Sequence, residues 1–295
     1  MSKTSDTGKH YRNECTGPAL ELAKKRTEPK DITLFASCFC PFVQRVWVAF
    51  EYLQIPYQYY EVDPYKKPKD LLDVSPKGLV PGLKLNNFNP PKALNESTVI
   101  LEYINDLAEN STGRSLLPPT TNPYARALIR LQSDHINRSV IPAFFRVLMP
   151  QDPQKQLEGK KEFLSALEGL VSLFERTETE VLGELTSGTV GEGERKALMK
   201  GLGLWADGNE DLGLADVMIG PWILRATNVL KYYRDFEMPP GEKFTKWTNK
   251  LLNHPDFKNT CSTEDLYLDS YERYAYNRPN TSQAADAINA GRGLP

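Results

Sequence analysis

The residue best placed to do chemistry is Cys40, in Phe39-Cys40-Pro41-Phe42-Val43-Gln44-Arg45. Beyond it Val43, Val46, Trp47, Phe50 and Leu53 fall on one face at helical spacing. Proline is favoured at the first helical position, because the N–H it lacks would have no partner there. That puts Cys40 at the N-cap of a helix, just after the short apolar run Ile32-Thr33-Leu34-Phe35. Unpaired N–H groups and the positive end of the helix dipole favour thiolate over thiol. The sequence therefore predicts a lowered pKa for Cys40 and a nucleophile suited to thiol–disulfide exchange. The plainer alternative is a small apolar residue filling a strand–helix junction. Position 43 is valine, so Cys-x-x-Cys is absent, and a resolving thiol must be Cys38 or an external one.

Two further sites are informative. In Gly78-Leu79-Val80-Pro81-Gly82 a proline preceded by an apolar residue can hold a cis peptide, exposing the backbone of Val80 to an extended peptide. At Glu96-Ser97 a helix opens, and its hydroxyl and N–H groups suit a carboxylate. Taken singly, these are a plain turn and a plain cap.

The elements that must position these residues follow from patterning. The run 32–35 reads as a buried strand, 57–62 as a second, and 83–85 and 92–94 as two short ones around an Asn/Pro turn. Helices are predicted after Pro41, over 69–74, and from Ser97 with Val99, Ile100, Tyr103, Ile104 and Leu107 on one face. This order fits a small α/β domain. A proline-rich linker follows at 111–123. Helical patterns then cover 124–149 with a kink at Pro142, a stretch through Phe163 and Phe174, 215–232 and 243–252, which together read as a helix bundle. The domains expected are a flexible arm over 1–28, an α/β domain over 29–110, a helical domain over 124–265 and an extension over 266–295. The glycine-rich stretch 183–213 reads as a surface loop with one helical turn near 195–200; Gly188–Gly193 resembles a phosphate loop but lacks the Gly-Lys-Ser/Thr ending. Tyr267, Tyr271 and Tyr274 share a face of a short helix, and the final dozen residues are expected to be mobile.

Composition narrows the class. The 295 residues suggest about two domains. With 36 basic against 38 acidic residues, charge offers no case for nucleic acid or an anionic membrane as partner. No apolar run approaches a membrane span, and the N-terminal residues lack a secretory signal. Four cysteines, Cys15, Cys38, Cys40 and Cys261, are too few for a disulfide framework, so a reducing, cytoplasmic compartment is expected, and the sequons at Asn95, Asn110 and Asn137 are read as chance matches.

The segment resembles the thioredoxin-like domain of the glutathione transferases, and Cys-Pro-Phe-x-Gln-Arg resembles their omega class, with the plant lambda class next. The likeness extends through Lys67-Pro68, Leu79-Val80-Pro81, Glu96-Ser97-Thr98 and Leu214-Ala215-Asp216, and the 183–213 loop and tail are similar to fungal omega-type members. It implies a thioredoxin-like domain followed by an all-helical one, an α/β plus all-α protein. It also implies glutathione as cosubstrate, no metal and a homodimer. By the same resemblance Cys40 forms a mixed disulfide with the glutathione sulfur. The Val80-Pro81 backbone pairs with the cysteinyl part, Lys67 meets the glycyl carboxylate, and Glu96 and Ser97 hold the γ-glutamyl end, with Phe42 beside them. Trp222, with Tyr124 and Phe42 as weaker candidates, walls an acceptor pocket for a hydrophobic electrophile or glutathionyl conjugate. Gly213 stands where the family usually has a Ser or Thr cap. The activity implied is glutathione-dependent thiol transfer or deglutathionylation. The alternatives are a non-catalytic carrier of hydrophobic ligands in the same fold, and an inserting channel of the chloride intracellular type. Against the channel, the first helix carries Gln44, Arg45 and Glu51.

Overall fold

The computed structural model describes residues 12–63, 65–183 and 192–292. The chain enters through helix α1 (Gly17–Lys25), where the sequence predicts a loose arm. Ala19 and Leu22 are buried, and the Ala19 N–H donates to the Cys261 carbonyl at 3.1 Å. What orders this stretch is distant in sequence: Arg12 pairs with Asp265 and Asp269, and Thr16 bonds to Thr263. Local patterning does not register such partners.

A four-stranded sheet follows, built from β1 (Ile32–Ala36), β2 (Gln58–Glu61), β3 (Gly82–Leu85) and β4 (Lys92–Asn95) in the order β2-β1-β3-β4. β1 is parallel to β2 and antiparallel to β3, with Leu34 opposite Tyr59 on one side and Leu83 on the other. Central β1 is buried along its whole length, as a strand covered on both faces must be. Helix α2 (Pro41–Leu53) starts at an extended Cys40 N-cap and stops where Gln54 turns left-handed at φ 58°. Eleven of its 13 residues are buried, because it lies between the sheet and the helical domain. Helix α3 (Lys69–Val74) falls where the pattern puts it.

Helix α4 (Ser97–Ser111) is rotated from the predicted stripe. Val99 is 50% exposed, while Leu101, Asn105 and Ala108 are buried beside Ile100 and Ile104. Asn105 belongs inside because its side-chain oxygen accepts from the Leu116 N–H at 2.8 Å and the Ser115 hydroxyl at 3.1 Å. The 111–123 linker is accordingly packed: Leu116 and Leu117 are buried, and the Leu116 carbonyl accepts from the Leu214 N–H at 2.8 Å.

The helical domain begins with α5 (Pro123–His135), capped by the Asn122 side chain on the Ala125 N–H, and α6 (Ile141–Leu148). The irregularity expected at Pro142 is a π-helical turn over Ile136–Val140, which runs directly into α6, with Pro142 just beyond it. Helices α7 (Pro153–Leu182), α8 (Glu192–Met199), α9 (Leu214–Arg225), α10 (Lys231–Arg234), α11 (Glu242–Asn253), α12 (Pro255–Lys258), α13 (Glu264–Ala275) and α14 (Gln283–Asn289) complete it. Among the described residues no helix is long and apolar enough to cross a membrane.

Two predictions from low patterning are corrected. Residues 201–213 are not a surface loop: Leu202, Leu204, Trp205 and Leu212 are buried. The buried Asp216 carboxylate gathers them, accepting from the Leu204 N–H (2.8 Å), the Gly213 N–H (2.9 Å) and Trp247 Nε1 (2.9 Å). Gly203, at φ 87°, passes so close that a Cβ would meet Asp216 Oδ2 at 2.4 Å. Residues 188–191 of the glycine motif lie outside the described residues. The tail, expected to be mobile, forms α14 with Ala285 and Ala287 buried.

One carboxylate in the α/β domain has a consequence for stability. Glu61 accepts from the Cys38 N–H (2.7 Å) and the Tyr59 hydroxyl (2.8 Å), yet burial pushes its pKa up to about 7. An acid raised in the folded state holds its proton after the unfolded chain has lost it. Stability is therefore expected to fall as pH rises from about 4.5 to about 7, by about 3 kcal/mol. Urea unfolding across that range should show the slope, and Glu61→Gln should flatten it.

Candidate functional site

A cleft of about 880 Å³ opens between the two domains. Cys40 lies at its base. The N-cap position sets its backbone, and its Sγ donates to the Val80 carbonyl at 3.7 Å. The Val80–Pro81 peptide is cis. On one flank Glu96, the N-cap of α4, is held at φ 70°, an uncommon conformation for a residue other than glycine, and Ser97 follows as the first residue of the helix. On the other, half-buried Lys67 runs against Gly78, whose φ of 63° favours glycine and whose Cβ, if added, would push the Lys67 side chain aside.

The structure thus brings Cys40, Phe42, Lys67, Val80, Pro81, Glu96 and Ser97 around one cleft, although they span 58 positions. Chemically the set offers a thiol, a backbone segment along the cleft, a cation and a helix N-terminus, which together suit an extended, zwitterionic, thiol-bearing peptide. Among the described residues no cluster of His, Cys, Asp and Glu could hold a metal ion.

Two site residues are placed elsewhere. Trp222 is fully buried behind the cleft, edge-on to Phe42 at 4.9 Å and under the Arg45 guanidinium at 4.3 Å. Tyr124 is 52% exposed and donates to Glu180 at 2.6 Å, away from the cleft. The aromatic wall is instead Phe42, Phe145 of α6, and Tyr271 and Tyr274 of α13. The tyrosine stripe on α13 was visible as periodicity, but nothing in the sequence tied it to Cys40.

The pKa prediction for Cys40 is also corrected: the thiol's pKa is raised. Burial outweighs the Val43 and Phe42 N–H groups and the charges of Arg225 and Arg45, all of which pull it down. Cys38 does not face the same way. Its Sγ donates to the Arg12 carbonyl at 3.5 Å, and burial beside Glu61 drives its pKa up strongly, so it is poorly placed as a resolving thiol. All four cysteines are free.

Residues 39–107 match the family profile for the glutathione S-transferase N-terminal domain. Over nearly the whole fold the chain is similar to glutathione transferase Omega 3C from Trametes versicolor, at 32% identity and TM-score 0.69, covering 88% of this chain and 97% of that one. The chain belongs to the glutathione S-transferase family. Two further relatives are similar over most of the chain. Glutathione S-transferase U15 of Arabidopsis thaliana is 26% identical, over 84% of this chain and 95% of its own length. Pyrimidodiazepine synthase of Drosophila melanogaster is 24% identical, over 85% of this chain and 90% of its own.

In this family member the C-terminal segment closes the cleft. Asn280, Thr281, Ser282, Gln283 and Asp286 line it, Tyr65 donates to the Thr281 carbonyl at 3.1 Å, and Gln283 donates to the Lys77 carbonyl at 3.0 Å. Truncation before Asn280 is expected to admit water to Cys40, lower its pKa, and speed its alkylation severalfold at neutral pH. Peptide mapping after timed iodoacetamide treatment reads both effects.

Proposed function

We propose that this chain is a cysteine-type, omega-like transferase that binds glutathione and carries out thiol transfer. The observation that carries the reading is the Cys40 thiol at a helix N-cap, 3.7 Å from the Val80 carbonyl at the base of the cleft. The Cys40 thiolate attacks the glutathionyl sulfur of a mixed disulfide. A Cys40–glutathione disulfide forms, the partner's sulfur leaves as a thiolate, and that thiolate takes a proton. A second glutathione thiolate then attacks the glutathionyl sulfur, releasing oxidised glutathione and restoring Cys40. Val80 offers backbone pairing to the cysteinyl unit. Lys67 suits the glycyl carboxylate, Glu96 the γ-glutamyl ammonium, and the α4 N-terminus at Ser97 the remaining carboxylate.

The test is intact mass after exposure to glutathione disulfide. A single glutathionyl adduct mapped to Cys40 supports the reading; an adduct only elsewhere sinks it, and a Cys38–Cys40 disulfide moves the resolving thiol inside the protein. The same proposal extends to a cytoplasmic homodimer, for which size-exclusion mass measurement tests the oligomer.

A carrier of apolar ligands is the second reading, favoured by a volume of about 880 Å³ walled by Phe42, Phe145, Tyr271 and Tyr274. Displacement of a fluorescent dye with Cys40 blocked, together with negligible turnover, would favour it.

A further inference from the structure

Two buried guanidinium groups flank Cys40 without a carboxylate between them. Arg45, in the second turn of α2, and Arg225, at the end of α9, are both 0% exposed. Arg45 donates to the Met218 carbonyl (2.7 Å), Asn137 Oδ1 (3.1 Å) and Ser97 Oγ (3.5 Å). Arg225 donates to Gln44 Oε1 (2.7 Å), the Pro221 carbonyl (2.8 Å) and the carbonyl of Phe39, the residue before Cys40 (2.9 Å). Every one of these acceptors is neutral. Aromatic faces supply the rest, Trp222 for Arg45 at 4.3 Å and Tyr267 for Arg225 at 4.6 Å. Arg45 Nη2 and Arg225 Nε are buried and have no hydrogen-bond partner.

Fully buried charges are ordinarily paired, because an uncompensated one costs stability. Burial here is severe enough to push the Arg45 pKa down to about 9. The other titratable groups toward Cys40 are Tyr271 and Tyr274 from α13, with Tyr65, Lys67, Glu96, Arg138 and Asp286 on the cleft walls. The two carboxylates among them, Glu96 and Asp286, are exposed, where solvent screens them. Cys261 and Tyr267 face Arg225 alone, and burial raises both of their pKa values; the group near both guanidiniums that can become an anion is the Cys40 thiol.

We propose that Arg45 and Arg225 are positioning residues for Cys40: an unneutralised buried cation pair whose field favours the thiolate without touching it. This rests on Cys40 being the reacting thiol. Arg45 stands behind the cleft wall with its side chain 0% exposed, so its action on Cys40 is through charge.

The experiment titrates Cys40 in the full chain without glutathione, reading its iodoacetamide rate against pH by peptide mass. Arg45→Met and Arg225→Met are expected to raise its apparent pKa by about one unit each, and Arg45→Lys to leave it near the parent value. Both arginines also tie the domains together, so the Met variants can fail to fold. Asn137→Asp and Gln44→Glu avoid this. Each keeps its arginine and places a carboxylate at a distance now occupied by an amide oxygen, 3.1 and 2.7 Å. Both are expected to raise the Cys40 pKa by about one unit by neutralising the cation. An unchanged pKa in folded Asn137→Asp and Gln44→Glu overturns the proposal, as does an equal shift in Arg45→Lys and Arg45→Met. The readout involves no glutathione. A Cys40 that takes no glutathionyl adduct yet shows these shifts refutes the thiol-transfer reading alone.

Discussion

Cys40→Ser is expected to lose thiol transfer by at least about a thousandfold while keeping the fold, because a serine hydroxyl at neutral pH has almost no anionic fraction and forms no disulfide. The side chain is nearly isosteric and its Val80 contact is made by a carbonyl acceptor, which a hydroxyl satisfies equally well. Turnover of hydroxyethyl disulfide with glutathione is the measurement; full activity in the serine variant would falsify the mechanism. A pH profile of the parent adds a second check. Burial raises the thiol's pKa, so the rate should go on climbing with pH beyond the ordinary thiol value of about 8.5. A plateau reached well below that value would contradict the environment described for Cys40.

The largest effect on stability is expected at Asp216→Ala. The carboxylate accepts from the Leu204 N–H, the Gly213 N–H and Trp247 Nε1, all within 2.8–2.9 Å. Truncation strands three buried donors and uncaps α9, for a loss of about 3–5 kcal/mol. That corresponds to a fall of about 10 °C in Tm. Asp216→Asn, with a single acceptor oxygen, should fall between. Gly213 supplies no capping side chain of its own, so Asp216 carries the start of α9 from inside the helix. A fall in Tm smaller than about 2 °C would mean that water replaces these bonds.

The reactive half of the site was legible because it is local. Cys40 and Pro41 specify a helix start by themselves, Val80-Pro81 a turn, and Glu96-Ser97 another helix start; each needs only its chain neighbours. The far wall was not, because Gln283 reaches Lys77 across 206 positions and Tyr65 reaches Thr281 across 216. That Trp222 lies behind the cleft and not in its wall is not legible either, for a related reason. A helix face is legible from spacing, but which neighbour covers it is not, and here Arg45 and Phe42 cover the ring. Burial of 201–213 is not legible in its glycine-rich pattern because the organising centre, Asp216, lies beyond the stretch itself. The helix terminus alone predicts a lowered Cys40 pKa; burial, which only the assembled cleft supplies, reverses the direction.

Helix α2 has almost no solvent face, with 11 of its 13 residues buried. A boundary drawn at residues 111–123 is therefore a boundary in topology and not in thermodynamics. Cut there, the first half would present Arg45 and much of the α2 surface bare to water, and the second would lose the packing partner of α9. The two halves should melt as one cooperative unit, with a single calorimetric transition, and neither should be soluble alone. For the evolution of such a chain, this couples the modules: changes on α9 are screened by the helix that carries the thiol, and the halves cannot be exchanged piecemeal.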